Sequence, residues 1–92
     1  MIKSFKHKGL KDFFEKGKKT GIQPAHAARL RLILGRLNVS QLPEDMALPG
    51  LDLHLLNPKK EGYWAVTVNG NWRVTFKFSG KDVVDVNLVD YH

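Results

Sequence analysis

Residues 63–92 read YWAVTVNGNWRVTFKFSGKDVVDVNLVDYH, and the way this stretch pairs with itself decides the fold. Three runs, 63–68, 72–78 and 83–91, set β-branched and aromatic residues in alternation with polar ones. Between them lie Asn-Gly-Asn and Ser-Gly-Lys-Asp, clusters that mark tight turns, so the runs read as three consecutive strands. A two-residue loop at Asn69-Gly70 would set Val66 against Arg73 and bring a charge onto the apolar face. A three-residue loop, Asn69-Gly70-Asn71, sets Val68 against Trp72, Val66 against Val74 and Trp64 against Phe76. A sheet with one buried face selects the second. The same reasoning with Ser79-Gly80-Lys81 as the next loop sets Phe76 against Val84 and Val74 against Val86. The expected buried face is Trp64, Val66, Val68, Trp72, Val74, Phe76, Phe78, Val84, Val86 and Leu88. The opposite face, expected to be wet, carries Thr67, Arg73, Thr75, Lys77, Asp85, Asn87 and Tyr91.

Working upstream, LDLHLL at 51–56 alternates too, with Leu51, Leu53 and Leu55 on one side and Asp52, His54 and Leu56 on the other. It adds a strand that brings Asp52 and His54 to the wet face. The connector before it, VSQLPEDMALPG, holds two prolines and a closing glycine and is read as irregular. TGIQPAHAARLRLILGRLN at 20–38 is the clearest helix. Pro24 suits its first turn, Ala27, Leu30, Leu34 and Leu37 form one face, and Asn38 can close it. His26, Arg29 and Arg36 fall mostly away from that face. GLKDFFEKGKK at 9–19 places Leu10, Phe13 and Phe14 at helical spacing, with Gly17 as the stop. IKSFK at 2–6 reads as a short first strand. The expectation is one α+β domain over residues 1–92, with two N-terminal helices packed on a mainly antiparallel twisted sheet of four to five strands.

Composition narrows the function. The 92 residues include no cysteine, which removes thiolate nucleophiles, disulfides and Cys-based zinc sites and fits a reducing cytoplasm. No apolar run approaches the roughly 20 residues that span a bilayer, and the N-terminus lacks the apolar core of a signal peptide. The net charge is +6, and it is unevenly spread. Residues 1–36 hold ten Lys/Arg against two acids, whereas residues 37–92 hold five against seven. A basic front of this kind attracts polyanions, nucleic acid above all, and also serves as a solubilising surface.

Four histidines, His7, His26, His54 and His92, stand far apart without metal-ligand spacing, so no metal site and no cofactor is expected. The hairpin glycines do not form a phosphate-binding loop, and no serine elbow is present. What remains is metal-independent cleavage of RNA. That chemistry needs a base for the 2′-hydroxyl, an acid for the leaving 5′-oxygen and a cation for the phosphorane. His54 and His92 suit proton transfer near neutrality, Arg73 suits phosphate, and Tyr91 donates hydrogen bonds and stacks on bases. Residue types alone do not separate RNA from another anion.

The segments MIKSFKHKGLKDFFEKG, EGYWAVTVNGNWRVTFKF and the closing NLVDYH resemble the HigB toxins of the RelE superfamily over almost the whole chain. The resemblance implies a small RelE-like fold and the toxin of a bacterial type II toxin–antitoxin pair. It implies a ribosome-dependent mRNA endonuclease that cuts the codon in the A site and stops translation. A HigA-like helix-turn-helix antitoxin would silence it, with operator DNA reached only through that partner. Carried over by position, the residues tied to activity are His54, Arg73, Asp90, Tyr91 and His92. In that light Arg73 is the phosphate clamp, His54 and His92 transfer protons, Tyr91 stacks on a base or joins proton transfer, and Asp90 orients a neighbouring group. The terminal carboxylate beside His92 favours its protonated form and makes it the preferred acid. Relatives carry a lysine soon after the second-strand histidine where this chain has Leu55, Leu56, Asn57 and Pro58, and Lys59 or Lys60 is the candidate replacement. Lys8, Lys11, Lys16, Lys18, Lys19, Arg29 and Arg36, with Lys59, Lys60 and Lys77, are the expected RNA contacts. Two other readings fit the same basic surface. One is a non-catalytic module that occupies the ribosome or only partners the antitoxin, and the other is a free-standing RNase.

Overall fold

The computed structural model describes residues 1–56 and 62–91. Helix α1 spans Lys8–Lys16, helix α2 spans Ala27–Val39, and strands β1 (His54–Leu55), β2 (Tyr63–Asn69), β3 (Trp72–Ser79) and β4 (Asp82–Asp90) follow. The strands form one antiparallel sheet in the order β1-β2-β3-β4, so the expected α+β class holds.

Helix α1 starts where the His7 imidazole accepts the Leu10 N–H at 3.0 Å. It ends where Gly17 takes a left-handed backbone (φ 72°) and returns its N–H to Phe13, the conformation that glycine adopts without steric cost. Leu10 and Phe13 turn inward. Helix α2 buries Ala27, Leu30, Ile33, Leu34 and Leu37, and the two helices cover Val66, Val68, Val74, Phe76, Val83, Val86 and Leu88 in one apolar core. Phe76 is fully enclosed, a burial that contributes about 1.5–3 kcal/mol.

Several expectations need correction. Pro24 opens a 3-10 turn over Pro24–His26, and α2 begins only at Ala27. His26 therefore lies off the α2 wheel and is 3% exposed, not turned to solvent. Asn38 does not close α2, which runs to Val39; its Oδ1 accepts the Ile2 N–H at 2.9 Å. The irregular connector contains one 3-10 turn, Pro43–Met46, that buries Met46. Residues 2–6 do not form a regular strand. They run parallel to β4 through two bridges, Ile2 to Val83 and Phe5 to Val86, with Lys3 and Lys6 donating to Val83 and Val86 carbonyls at 2.7 and 2.8 Å.

The register of β2 on β3 matches the expected pairs Val66–Val74 and Trp64–Phe76. Asn69, not Val68, faces Trp72, because the chain bulges between Thr67 and Asn69 and turns on Gly70-Asn71. The β3–β4 register differs from expectation. Ser79 pairs with Asp82, Lys77 with Val84, and Val74 with Leu88, so the turn is Gly80-Lys81 and not a three-residue loop. A bulge absorbs the difference: between Lys77–Val84 and Thr75–Asn87, one residue of β3 opposes two of β4, Asp85 and Val86. Asp85 sits at φ 57°, the backbone of a bulge whose first residue is left-handed. The inward set on β4 is consequently Val83, Val86 and Leu88, with Val83 in the place expected of Val84.

Candidate active face of the sheet

Strand pairing places the candidate residues in rows across the uncovered face. His54 pairs with Ala65, Ala65 with Thr75, and Thr75 with Asn87. The next row is Thr67, Arg73 and Val89. On the other side of the His54 row lie Tyr63, Lys77 and Val84. His54 and Arg73 are thus two strands and one row apart, roughly 12 Å between backbones from ordinary strand spacing and rise. Between them the floor is low. Ala65 is fully buried and Thr75 is 7% exposed, so Thr75 is part of that shielded floor and not, as expected, a wet residue.

β1 is two residues long because Asp52 breaks the alternation with φ 50°. Leu51 still turns into the core, but Leu55 is exposed, against the expectation of one Leu51–Leu53–Leu55 face. The same kink fixes His54. Its Nδ1 lies 2.9 Å from the Asp52 carbonyl oxygen, and a carbonyl only accepts, so this bond requires Nδ1–H. In the neutral ring Nε2 then carries the lone pair, and the exposed imidazole is set up as a proton acceptor.

Arg73 folds toward the β2–β3 turn, its Nη1 donating to the Gly70 and Trp72 carbonyls at 2.6 and 3.1 Å. Among the described residues its Nε and Nη2 make no hydrogen bond, which leaves part of the planar fork for an anion. Asp90 ends β4 opposite Trp72. The next residue, Tyr91, is exposed, and its N–H donates to the Asn71 carbonyl at 2.8 Å. The β2–β3 turn therefore holds the C-terminal segment beside Arg73. His92, Lys59 and Lys60 lie outside the described residues.

On this face Lys77 and Asp85, both expected there, are joined by Tyr63 and Lys6, which were not foreseen. Tyr63 donates its hydroxyl to the Asp85 carboxylate at 2.7 Å, and Lys6 and Lys77 approach its ring at 5.1 and 5.5 Å. The phase of YWAVTV put Tyr63 on the same side as Thr67, so the signal was present in the alternation. Lys6 carried none, because it arrives from the N-terminal segment. Of the expected RNA contacts, Lys8, Lys11, Lys16, Lys18 and Lys19 are exposed along α1 and its exit. Arg29 donates to the Gly50 carbonyl, and Arg36 Nε to the Asp45 carbonyl at 3.2 Å, so both hold the connector against α2. Asp45 accepts the Gln41 and Leu42 N–H groups, which keep its carboxyl below the ordinary range. Among the described residues, no three His, Asp or Glu side chains gather as a metal site, and no helix is long and apolar enough to cross a membrane.

Comparison with known proteins adds the decisive observation. A family model described as the RelE-like toxin of type II toxin–antitoxin system HigB matches residues 3–92. The chain belongs to the HigB-like toxin family. It is 41% identical to the endoribonuclease HigB of Proteus vulgaris over 92 residues, all of both chains. Membership makes this chain the toxin of a type II pair.

Proposed function

We propose that this HigB-like toxin is a metal-independent endoribonuclease of the cytoplasm that cleaves mRNA in the ribosomal A site and is neutralised by a HigA-like antitoxin. The carrying observation is the His54 tautomer on the face shared with Arg73: a proton acceptor at one side of a low floor and an available guanidinium at the other. The name of the Proteus vulgaris relative, endoribonuclease HigB, supports the endoribonuclease part of this reading.

In this reading RNA lies across the face between His54 and Arg73, over the groups that shield Ala65 and Thr75. His54 Nε2 takes the proton of the 2′-hydroxyl, whose oxygen attacks the adjacent phosphorus. The bond from phosphorus to the 5′-oxygen breaks, and the products are a 2′,3′-cyclic phosphate and a 5′-hydroxyl. Arg73 neutralises the charge that builds on the phosphorane, where a donor already in place costs no reorganisation. His92 protonates the leaving oxygen, with Tyr91 and Asp90 positioning it or the flanking base. The ribosome supplies the stretched mRNA that this shallow face does not itself grip, and the exposed lysines of α1 meet ribosomal RNA, which makes activity fall with added salt.

The test is cleavage of mRNA on purified ribosomes. His54→Ala and Arg73→Ala each lower the single-turnover rate by about 10²–10⁴, with urea unfolding midpoints close to the parent's. Parent-like cleavage by both variants removes the site. Translation arrest by the parent protein with mRNA left uncut makes the chain a non-catalytic ribosome binder, and cutting of naked RNA at the same rate removes the ribosome from the mechanism.

A further inference from the structure

A cleft of about 260 Å³ opens on the covered side of the sheet, lined by His7, Thr20, Gln23, His26, Trp72 and Leu88. It lies back to back with the candidate active face: Trp72 precedes Arg73 on β3 and pairs with Asp90, and the Asn71 carbonyl before it holds Tyr91. We propose that this cleft is a nucleotide-binding subsite that receives a second residue of the bound RNA, an inference that rests on the reading above.

Four features carry it. His26 is 3% exposed, packs edge-on against Trp72 at 5.7 Å, and its buried Nδ1 has no hydrogen-bond partner. Such a group costs stability until something meets it. His7 accepts the Leu10 N–H on Nδ1, so the neutral ring carries its proton on Nε2 and offers a donor. Thr20 and Gln23, both exposed, add a hydroxyl and an amide. Trp72, Leu88 and Ile22 supply apolar walls, and an indole suits a base face. The wall is also preformed. A Cβ at Gly21 would stand 2.5 Å from the Gly9 Cα, so the 20–23 loop and the start of α1 are in direct backbone contact.

The combination selects the ligand class. Flat apolar walls with donors and acceptors at the rim match a nucleobase. No carboxylate lines the cleft among its described residues, and exposed Lys8, Lys18 and Lys19 flank its lining residues in sequence, a setting that favours a phosphate at the mouth. A bare phosphate would leave the Trp72 and Leu88 walls uncovered. The His26 Nδ1 meets a base edge when its ring turns toward the cleft, and this movement is what the experiment reads.

The intact protein is titrated with adenosine or uridine 5′-monophosphate and, separately, with inorganic phosphate, following the Trp72 indole and His26 ring resonances by NMR. At least one mononucleotide shifts both signals saturably with millimolar or tighter affinity, and phosphate alone does not. Gln23→Ala, at an exposed position outside the core, weakens that affinity by about fivefold. Arg73→Ala leaves it unchanged while slowing cleavage by about 10²–10⁴, which separates failure of the cleft from failure of the active face. The proposal falls if neither mononucleotide moves these signals, if phosphate alone reproduces the shifts, or if Arg73→Ala removes them.

Discussion

The two faces of the sheet are built on opposite terms. The covered face is made of large side chains, in regular alternation on β2 and β3 and reset by the bulge on β4, with Val66, Val74, Phe76, Val83 and Val86 all removed from water. The uncovered face has a low floor and a polar rim, and it holds both described non-glycine residues with left-handed backbone, Asp52 and Asp85. Such a conformation costs about 1–2 kcal/mol per residue. Each departure places a group on the rim: the Asp52 carbonyl receives the His54 Nδ1–H, and the Asp85 carboxylate receives the Tyr63 hydroxyl. Stability is concentrated on one side of a single layer of strands and strain on the other, the arrangement expected where strain serves a site.

The contrast is open to attack, first where the effect is largest. Phe76→Ala should cost about 3–5 kcal/mol in urea unfolding, a large share of the stability of so small a domain. A cost below that of the rim substitutions would dissolve the distinction. Asp85→Val places a β-branched residue in the left-handed region and deletes the Tyr63 bond, and it should lose about 1–3 kcal/mol. Asp85→Asn tolerates that backbone and should lose less. Equal losses would mean that the bulge is not strained. Asp52→Gly sharpens the comparison because stability and activity should part. The unfolding midpoint should hold or rise, by up to about 1 kcal/mol, while cleavage slows as the His54 anchor loosens. Cleavage at the parent rate would cut the link between strain and site.

The smallest effect belongs to Asp45, on the connector. Two N–H donors lower its carboxyl in the folded chain, so its contribution is complete above the ordinary carboxylate range, about pH 4. It is lost as pH falls through the lowered folded value. Asp45→Asn should therefore be less stable than the parent at neutral pH and nearly equal to it in acid. A constant difference across that range would show that the two N–H bonds do not favour the charged form.

Alternation made the covered face legible. Trp64, Val66, Val74 and Phe76 followed from hydrophobic phase alone, because a one-residue slip would bury Arg73. The same rule failed on β4, where Val83 replaces Val84, since a bulge resets the phase and its left-handed residue is an aspartate and not the glycine that would announce it. His26 was misplaced for a related reason: a 3-10 turn shifts the helical wheel that follows. On the uncovered face the sequence showed His54 and Arg73 to be cosurface, but not that the Asp52 carbonyl selects the His54 tautomer. That depends on one kinked residue, and no periodicity reports it.

The segment running beside β4 has a consequence beyond its own few hydrogen bonds. A sheet ends in strands whose outer N–H and C=O groups invite another chain to pair with them. At one margin β1 is only two residues long, too short a template for strand addition. At the other, β4 spans nine residues, but Lys3 and Lys6 already donate to Val83 and Val86, and those residues donate back to Met1 and Ser4. The first six residues thus guard the one long margin against polymerisation. A version lacking them would keep most of its core and yet be prone to join its copies edge to edge.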